Sequence, residues 1–275
     1  MVNTALDNPI VSIVIPTKDS SKTLTACLDS IINQYYKNIE IIVIDNHSTD
    51  NTIEIARRYT NSVYTFGPER SFQINYGVRL ASGKYIYRVD SDFVLEPGVI
   101  SDAVNGAETN GYGAVIIHNT SDPTVSFWAK VRKFERDMYD SGYDELKIAV
   151  RFVRKDAFLS VGGFDTRMVS GEDYDLHNKI IKKYDIGRIN AKEMHLGEYK
   201  SLGEVARVNY FYGKNTGLFL RIHKSRGFRQ VSPFRKVYLR NYKKFLSHPV
   251  LGAGFVVYQI VKYSSAAIGL LVSGK

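Results

Sequence analysis

Lys84-Tyr85-Ile86-Tyr87-Arg88-Val89-Asp90-Ser91-Asp92 decides the reading of this chain. The stretch Lys84 to Val89 reads as a buried strand running into a polar exit. Successive strand residues face opposite sides, so Asp90 and Asp92 are expected on one side with Ser91 on the other. Two carboxylates so placed can share one divalent cation. Hard cations such as Mg²⁺ take oxygen ligands, commonly one or two carboxylates plus the phosphates of a substrate. A nucleotide diphosphate suits such a site. An Asp-x-Asp at a strand end is also a common turn or helix cap, so its surroundings must choose.

Outward from this stretch, strands alternate with helices. Val11 to Ile15 and Ile39 to Ile44 read as strands, with an amphipathic helix at Lys22 to Gln34 between them. Thr52 to Tyr59 reads as a helix after the polar cluster at 46–50, Val63 to Phe66 as a short strand, and Phe72 to Ala81 as a helix closed by Gly83. This pattern predicts an α/β fold with a doubly wound, mostly parallel sheet. Ligands of such sheets bind beyond the carboxyl ends of the strands, where Thr17, Asp19, Asp45, Asn46, Asp90 and Asp92 all fall.

The 275 residues are 44% apolar, which excludes a disordered chain and suffices for a sizeable core. Cys27 stands alone, so an internal disulfide and a cysteine-based zinc site are excluded and a reducing compartment is expected. Met1 to Pro9 is short and polar and does not read as a secretory signal. The charge is divided unevenly. From Lys200 onward there are 14 Lys and Arg against the single acid Glu204, whereas 23 bases face 27 acids before it. Two physically different pieces are joined.

Five motifs in order carry a resemblance. V-S-I-V-I-P-T-K-D at Val11 to Asp19, V-I-D-N-H-S-T-D at Val43 to Asp50, A-S-G-K-Y-I-Y-R-V-D-S-D at Ala81 to Asp92, G-G-F-D at Gly162 to Asp165 and G-E-D-Y-D-L at Gly171 to Leu176 resemble family 2 glycosyltransferases of the GT-A fold. The similarity covers roughly residues 10 to 200. It implies a Rossmann-like nucleotide-diphospho-sugar transferase domain over residues 1–200. Thr17, Asp19 and Asp45 resemble the positions that hold base and ribose, and Asn46 stands where a second Asp is frequent, which leaves UDP- and GDP-sugars both open. Asp90 and Asp92 resemble the ribose and metal acids, Asp92 being the direct ligand of Mn²⁺ or Mg²⁺. His195, after a strand expected at Ile186 to Ala191, resembles a third metal ligand, consistent with imidazole chemistry. Members often carry Arg-Asn before a Gly in the helix preceding the acidic pair. This chain has Ile74-Asn75-Tyr76-Gly77, and Arg70, about one helical turn earlier, is the candidate for the missing guanidinium.

Glu172-Asp173 is the second site. Transfer to a hydroxyl with inversion needs a base, and a carboxylate at a loop-to-helix junction is held ionised by the helix N-terminus. By resemblance Asp173 is that base and Glu172 its acceptor-binding or orienting neighbour, although the pair also suits capping of a helix at Tyr174 to Lys183. Asp122 to Leu146 is expected on the acceptor side, with Trp128 and Tyr143 among its aromatics.

Residues 201–248 read as basic amphipathic interface helices, including one helix from Leu202 to His223. Residues 249–275 form an apolar membrane-associated or transmembrane helix. Pro249 to Val272 carries one charge, Lys262, and is long enough to cross a bilayer that needs about 20 residues. It can span with a tilt, lie in the interface, or be a buried helix. Basic residues just before it place the catalytic domain on the cytoplasmic face of the cell membrane, and no nucleic-acid partner is expected. The expected activity is inverting, metal-dependent transfer of a hexose such as mannose or glucose to a hydroxyl of a polyprenyl-linked glycan, as in lipid-linked oligosaccharide and N-glycan biosynthesis. The alternatives are a polyprenyl-phosphate (dolichyl-phosphate) sugar synthase and a non-catalytic nucleotide-sugar-binding scaffold.

Overall fold

The computed structural model describes residues 8–140 and 149–273. Its eight strands are β1 (Val11–Thr17), β2 (Ile39–Asp45), β3 (Val63–Thr65), β4 (Tyr85–Arg88), β5 (Phe93–Leu95), β6 (Ala114–Ser121), β7 (Phe152–Arg154) and β8 (Ile186–His195). They form one sheet in the order β3-β2-β1-β4-β7-β6-β8-β5. The helices are α1 (Leu24–Ile32), α2 (Thr52–Arg57), α3 (Arg70–Leu80), α4 (Val99–Asn110), α5 (Phe127–Arg136), α6 (Lys155–Ser160), α7 (Glu172–Ile180), α8 (Leu202–Asn215), α9 (Gly217–Val231), α10 (Lys236–Arg240), α11 (Tyr242–Ser247) and α12 (Pro249–Ser273).

The sheet is buried on both faces, which is why β1 and β2 read as near-continuous apolar runs. Val11, Ile13 and Ile15 pack with Leu24, Leu28 and Val99 on one side. Val14, Ile42 and Ile44 pack with Ile74, Val78 and Leu176 on the other. The alternation of a strand thus feeds two cores at once. The β1 to β4 half is parallel as expected. Beyond β4 the sheet is mixed, because β7 runs antiparallel to both β4 and β6 and β5 runs antiparallel to β8. Short return strands of three residues carry too little periodicity to be read from sequence.

Three expectations are corrected. The acidic pair does not ride on a strand: β4 ends at Arg88 and Ser91-Asp92 form a turn into β5, so strand alternation does not place these carboxylates. The strand expected at Ile186 to Ala191 continues through His195. The helix expected from Leu202 to His223 is two helices meeting at Thr216, and α9 is itself interrupted at Lys224, with φ 43°.

The long apolar helix α12 is docked lengthwise. A Cβ at Gly213 of α8 would lie 2.1 Å from the Ala266 carbonyl oxygen, and one at Gly269 of α12 would lie 2.2 Å from that of Tyr210. Only glycine permits backbones this close. Phe255 and Tyr258 are buried with Val131, Phe134 and Met138, and Lys262 turns inward, its Nζ 3.7 Å from Glu135 Oε1. The opposite flank exposes Val250, Val256, Val257, Ile260, Ile268 and Leu271.

Candidate active site

The carboxyl ends of β1, β2 and β4 open into a cleft of about 670 Å³ lined by Thr17, Asp19, Asn46, Arg70, Asp90, Asp92 and His195, among others. Asp45 is separated from the rest. It is fully buried, accepting from Thr17 Oγ1 (2.9 Å), Ser48 N–H (2.8 Å) and Ser48 Oγ (2.5 Å). It therefore ties the two strand ends together beneath the cleft and does not line it. Asp19 adopts a left-handed backbone at φ 46° and accepts from Thr49 N–H at 2.8 Å, a conformation Asp tolerates better than most residues. Asn46 Nδ2 donates to the Pro68 carbonyl at 2.5 Å. Gln73, which nothing in the sequence marked, donates from Nε2 to the carbonyls of both Thr17 and Ile44. Only its position three residues after Arg70, on the same helix face, was legible.

Asp92 and His195 meet through strand register. Phe93 pairs with His195 across β5 and β8, and Leu196 N–H donates to the Asp92 carbonyl at 2.8 Å. Asp92 Oδ2 then lies 3.0 Å from His195 Nε2. The other ring nitrogen, Nδ1, is 2.8 Å from Glu198 Oε1, and Glu198 is in turn held by Arg136. Burial lowers the His195 pKa, but Asp92 and Glu198 outweigh it and raise the imidazolium's affinity for its proton. A carboxylate behind the second nitrogen is the arrangement that orients metal-binding histidines. An oxygen and a nitrogen donor converging at the cleft fit a divalent cation that takes its remaining ligands from phosphate and water. Asp90 is placed differently. Its oxygens face Arg70 Nη1 (3.3 Å) and Arg151 Nη1 (3.1 Å), and among the described residues no cluster of three or more acidic, His or Cys groups surrounds one point. The expected trio of Asp90, Asp92 and His195 is thus resolved into a pair, with Asp90 directed to arginines.

Those arginines build a band of ion pairs. Arg70, at the start of α3, reaches Asp90, Glu172 and Asp173. Arg88, at the end of β4, donates to Asp173 Oδ1 at 2.6 Å. Arg151 bridges Asp90 to Glu193, whose other oxygen accepts from Tyr87 Oη at 2.7 Å. Burial pushes the Asp90 and Asp173 carboxyls up, but the surrounding Arg88, Arg70 and Arg151 prevail and hold both below the usual carboxylate range. Glu172 moves the other way, raised by burial and by the neighbouring Asp173.

The backbone explains how Glu172 and Asp173 reach this band. Gly171 takes φ 85° as the N-cap of α7, a left-handed turn that needs glycine. The helix therefore begins at Glu172, not Tyr174, with glycine rather than either acid as its N-cap. Both carboxylates are free to turn towards Arg70 and Arg88.

Trp128 lines neither this cleft nor the cavity beyond Asp173. It stands edge-on to Phe127 at 5.1 Å and packs with the cluster around Val131 and Tyr258. Tyr143 lies outside the described residues. What α5 brings towards Asp173 is charged: Arg132, Glu135 and Arg136 line a second cavity with Arg88, Arg151, Asp173 and Lys262.

The family profile described as "Glycosyl transferase family 2" matches residues 12–165, which is more than half of the chain. The chain belongs to glycosyl transferase family 2. An uncharacterized glycosyltransferase of Rickettsia typhi is 25% identical over 189 residues, covering 64% of this chain and 59% of that protein. Chondroitin synthase of Escherichia coli is 25% identical over 249 residues, covering 82% of this chain and 32% of that protein. The chain thus spans about a third to three fifths of the length of these relatives. Among solved structures, a mannosyltransferase of Pyrobaculum calidifontis in complex with GDP-Man and Mn²⁺ superposes with a TM-score of 0.67 at 15% identity, covering 97% of this chain and 88% of that one. The S. aureus TarS 1-349 complex with UDP-GlcNAc gives 0.56 at 17% identity, covering 92% and 90%. The GT-A-like fold and membership of family 2 therefore stand together.

Proposed function

We propose that this family 2 glycosyltransferase moves a hexose, with inversion, from a nucleotide diphosphate sugar to a hydroxyl of a lipid-linked glycan at the cytoplasmic membrane face. The observation that carries the reading is Arg70 spanning Asp90 on the donor side and Asp173 on the other. It brings the expected donor site and the expected base to one wall. Structural neighbours bound to GDP-Man and UDP-GlcNAc support a nucleotide-sugar donor.

In this reading Thr17, Asp19 and Asn46 meet the nucleoside, while Asp45 holds the floor on which they stand. Asp92 and His195 would hold Mn²⁺ or Mg²⁺, which supplies charge neutralisation of the departing diphosphate. Asp173 accepts the proton of the acceptor hydroxyl as its oxygen forms a bond to the anomeric carbon. The bond from that carbon to the phosphate oxygen breaks on the opposite face, so configuration inverts. A carboxylate held between two arginines is a weak base until one lets go. Attraction of Arg70 towards an incoming diphosphate would loosen its hold on Asp173 and couple donor binding to base strength.

The tail supports association with a membrane without a crossing. One flank of α12 is fixed to α8 through Gly213 and Gly269, and Lys262 faces Glu135. A charge so placed is not in lipid, and the segment before α12 also exposes Phe234, Leu239 and Leu246, with basic residues between them in the sequence. Apolar side chains with cations interleaved suit an anionic interface.

The test is transfer by the Asp173→Asn variant. Loss of turnover with donor binding intact supports the hydroxyl acceptor and its base. Normal turnover would sink that reading and favour a phosphate acceptor, which is already ionised at neutral pH.

A further inference from the structure

We infer that this chain carries a phosphate-binding subsite for its acceptor in the cavity between α5, α7 and α12, on the far side of Asp173 from the donor cleft. The inference rests on the glycosyltransferase reading above and gives the acceptor's chemistry at that same site.

The cavity holds about 310 Å³, and among the described residues its wall carries five cations, Arg88, Arg132, Arg136, Arg151 and Lys262, and two acids, Asp173 and Glu135. His118, also in its wall, adds no charge near neutrality, because burial pushes its pKa down to about 4. Behind the wall the guanidinium groups are paired, Arg132 with Glu135, Arg136 with Glu198 and Arg151 with Asp90 and Glu193, so what the cavity offers an anion is the donors these pairs leave over. Arg88 carries such a donor. It is 3% exposed, and its Nε has no hydrogen-bond partner among the described residues, although Nη1 is bonded to Asp173. A buried donor without an acceptor is costly, and an anion in the cavity would supply one. Lys262 is only loosely held: among the described residues its acid partner is Glu135, 3.7 Å away, and burial pulls its pKa down to about 8.

The charge is also of the right kind. The donor cleft pairs a carboxylate with an imidazole, which suits a cation. This cavity instead presents guanidinium groups, whose planar donors match phosphate oxygens two at a time. Asp173 stands at the junction, so a hydroxyl on the group next to a bound phosphate is delivered to the base. Lys262 comes from α12, the helix whose outer flank is apolar, and this ties the subsite to the surface at which a lipid-borne phosphate would arrive.

The experiment measures binding of inorganic pyrophosphate and of farnesyl diphosphate to the full chain by calorimetry, with EDTA present so that a cation does not recruit either to the donor cleft. Nucleotide-sugar binding in Mn²⁺ is measured beside it. Lys262→Gln and Arg132→Gln should each weaken both diphosphates at least tenfold while leaving nucleotide-sugar affinity within twofold. If Lys262→Gln does not fold, Arg132→Gln alone decides. Tenfold tighter binding of farnesyl diphosphate than of pyrophosphate marks a lipid-borne source, and equal binding a free one. Unchanged affinity in a folded variant overturns the subsite, as does loss of diphosphate binding in Asp92→Ala alone. Failure of nucleotide sugars to bind would instead count against the glycosyltransferase reading, since the diphosphate arm is scored without them.

Discussion

The cleft at Asp92 and the basic cavity lie on opposite sides of one band of ion pairs, yet they are built in different ways. Thr17 ends β1, Asp90 and Asp92 follow β4 immediately, and His195 ends β8. The cleft is therefore a consequence of where parallel strands stop. The cavity is assembled from Arg88 of the sheet, Arg132 and Arg136 of α5, Asp173 of α7 and Lys262 of α12. It depends on the C-terminal helix being docked on the domain. The difference teaches that one wall of this enzyme is fixed by topology and the other by tertiary packing. In the proposed reading, donor and acceptor chemistry could then vary separately.

Substitutions can break that division at graded cost. The largest effect is expected at the shared wall: Asp173→Asn should lower transfer by about 10²–10⁴-fold, the usual contribution of a general base, with nucleotide-sugar affinity retained. Equal loss of donor binding would show that the two sides are not separable. Ile44→Ala, beneath the cleft at 0% exposure, should cost about 2–5 kcal/mol of stability in chemical denaturation, since it leaves a cavity in a sheet packed on both faces. Arg70→Gln removes the link from Asp90 to Glu172 and Asp173 and should lower kcat about 10- to 100-fold. A pH–rate profile checks the cause: with one cation fewer beside it, Asp173 titrates at higher pH, so the acid limb moves upward. The smallest effect on the domain is expected at the outer flank. Replacing Leu239 and Leu246 with Ser, at 77% and 74% exposure, should change stability by no more than about 0.5 kcal/mol. Flotation with anionic vesicles should nevertheless fall about tenfold, because each Leu withdraws apolar area from the interface.

The same division explains what was legible in the sequence. Val11 to Asp19 and Ile39 to Asp45 announced both the strands and the polar residues at their ends, because apolar runs and their limits are local features. Asp90 and Asp92 were found for their chemistry, but their placement was misjudged. A turn at Ser91 rather than strand alternation sets them, sending Asp90 to arginines and Asp92 to His195. Arg88 and Arg151 were missed: each is an ordinary basic residue beside a strand, and only the fold brings them to Asp90 and Asp173. Glu172 and Asp173 were marked by their motif, while their freedom to reach Arg70 depends on the left-handed turn at Gly171. Lys262 was read as the one charge of an apolar helix. The docked geometry turns it towards Glu135 and the cavity, a contact 127 positions away along the chain that no local pattern encodes.

The account rests most on the cleft at Asp92 being the donor site. Thermal unfolding of the full chain should be followed with a panel of UDP- and GDP-sugars, in Mn²⁺ or Mg²⁺ and again after EDTA. At a hundredfold excess over Kd, one donor should raise Tm by about 5–10 °C. EDTA or Asp92→Ala should remove that shift, and Asp173→Asn should preserve it. A panel with no metal-dependent shift, or an Asp92→Ala variant stabilised as much as the native chain, would contradict the account.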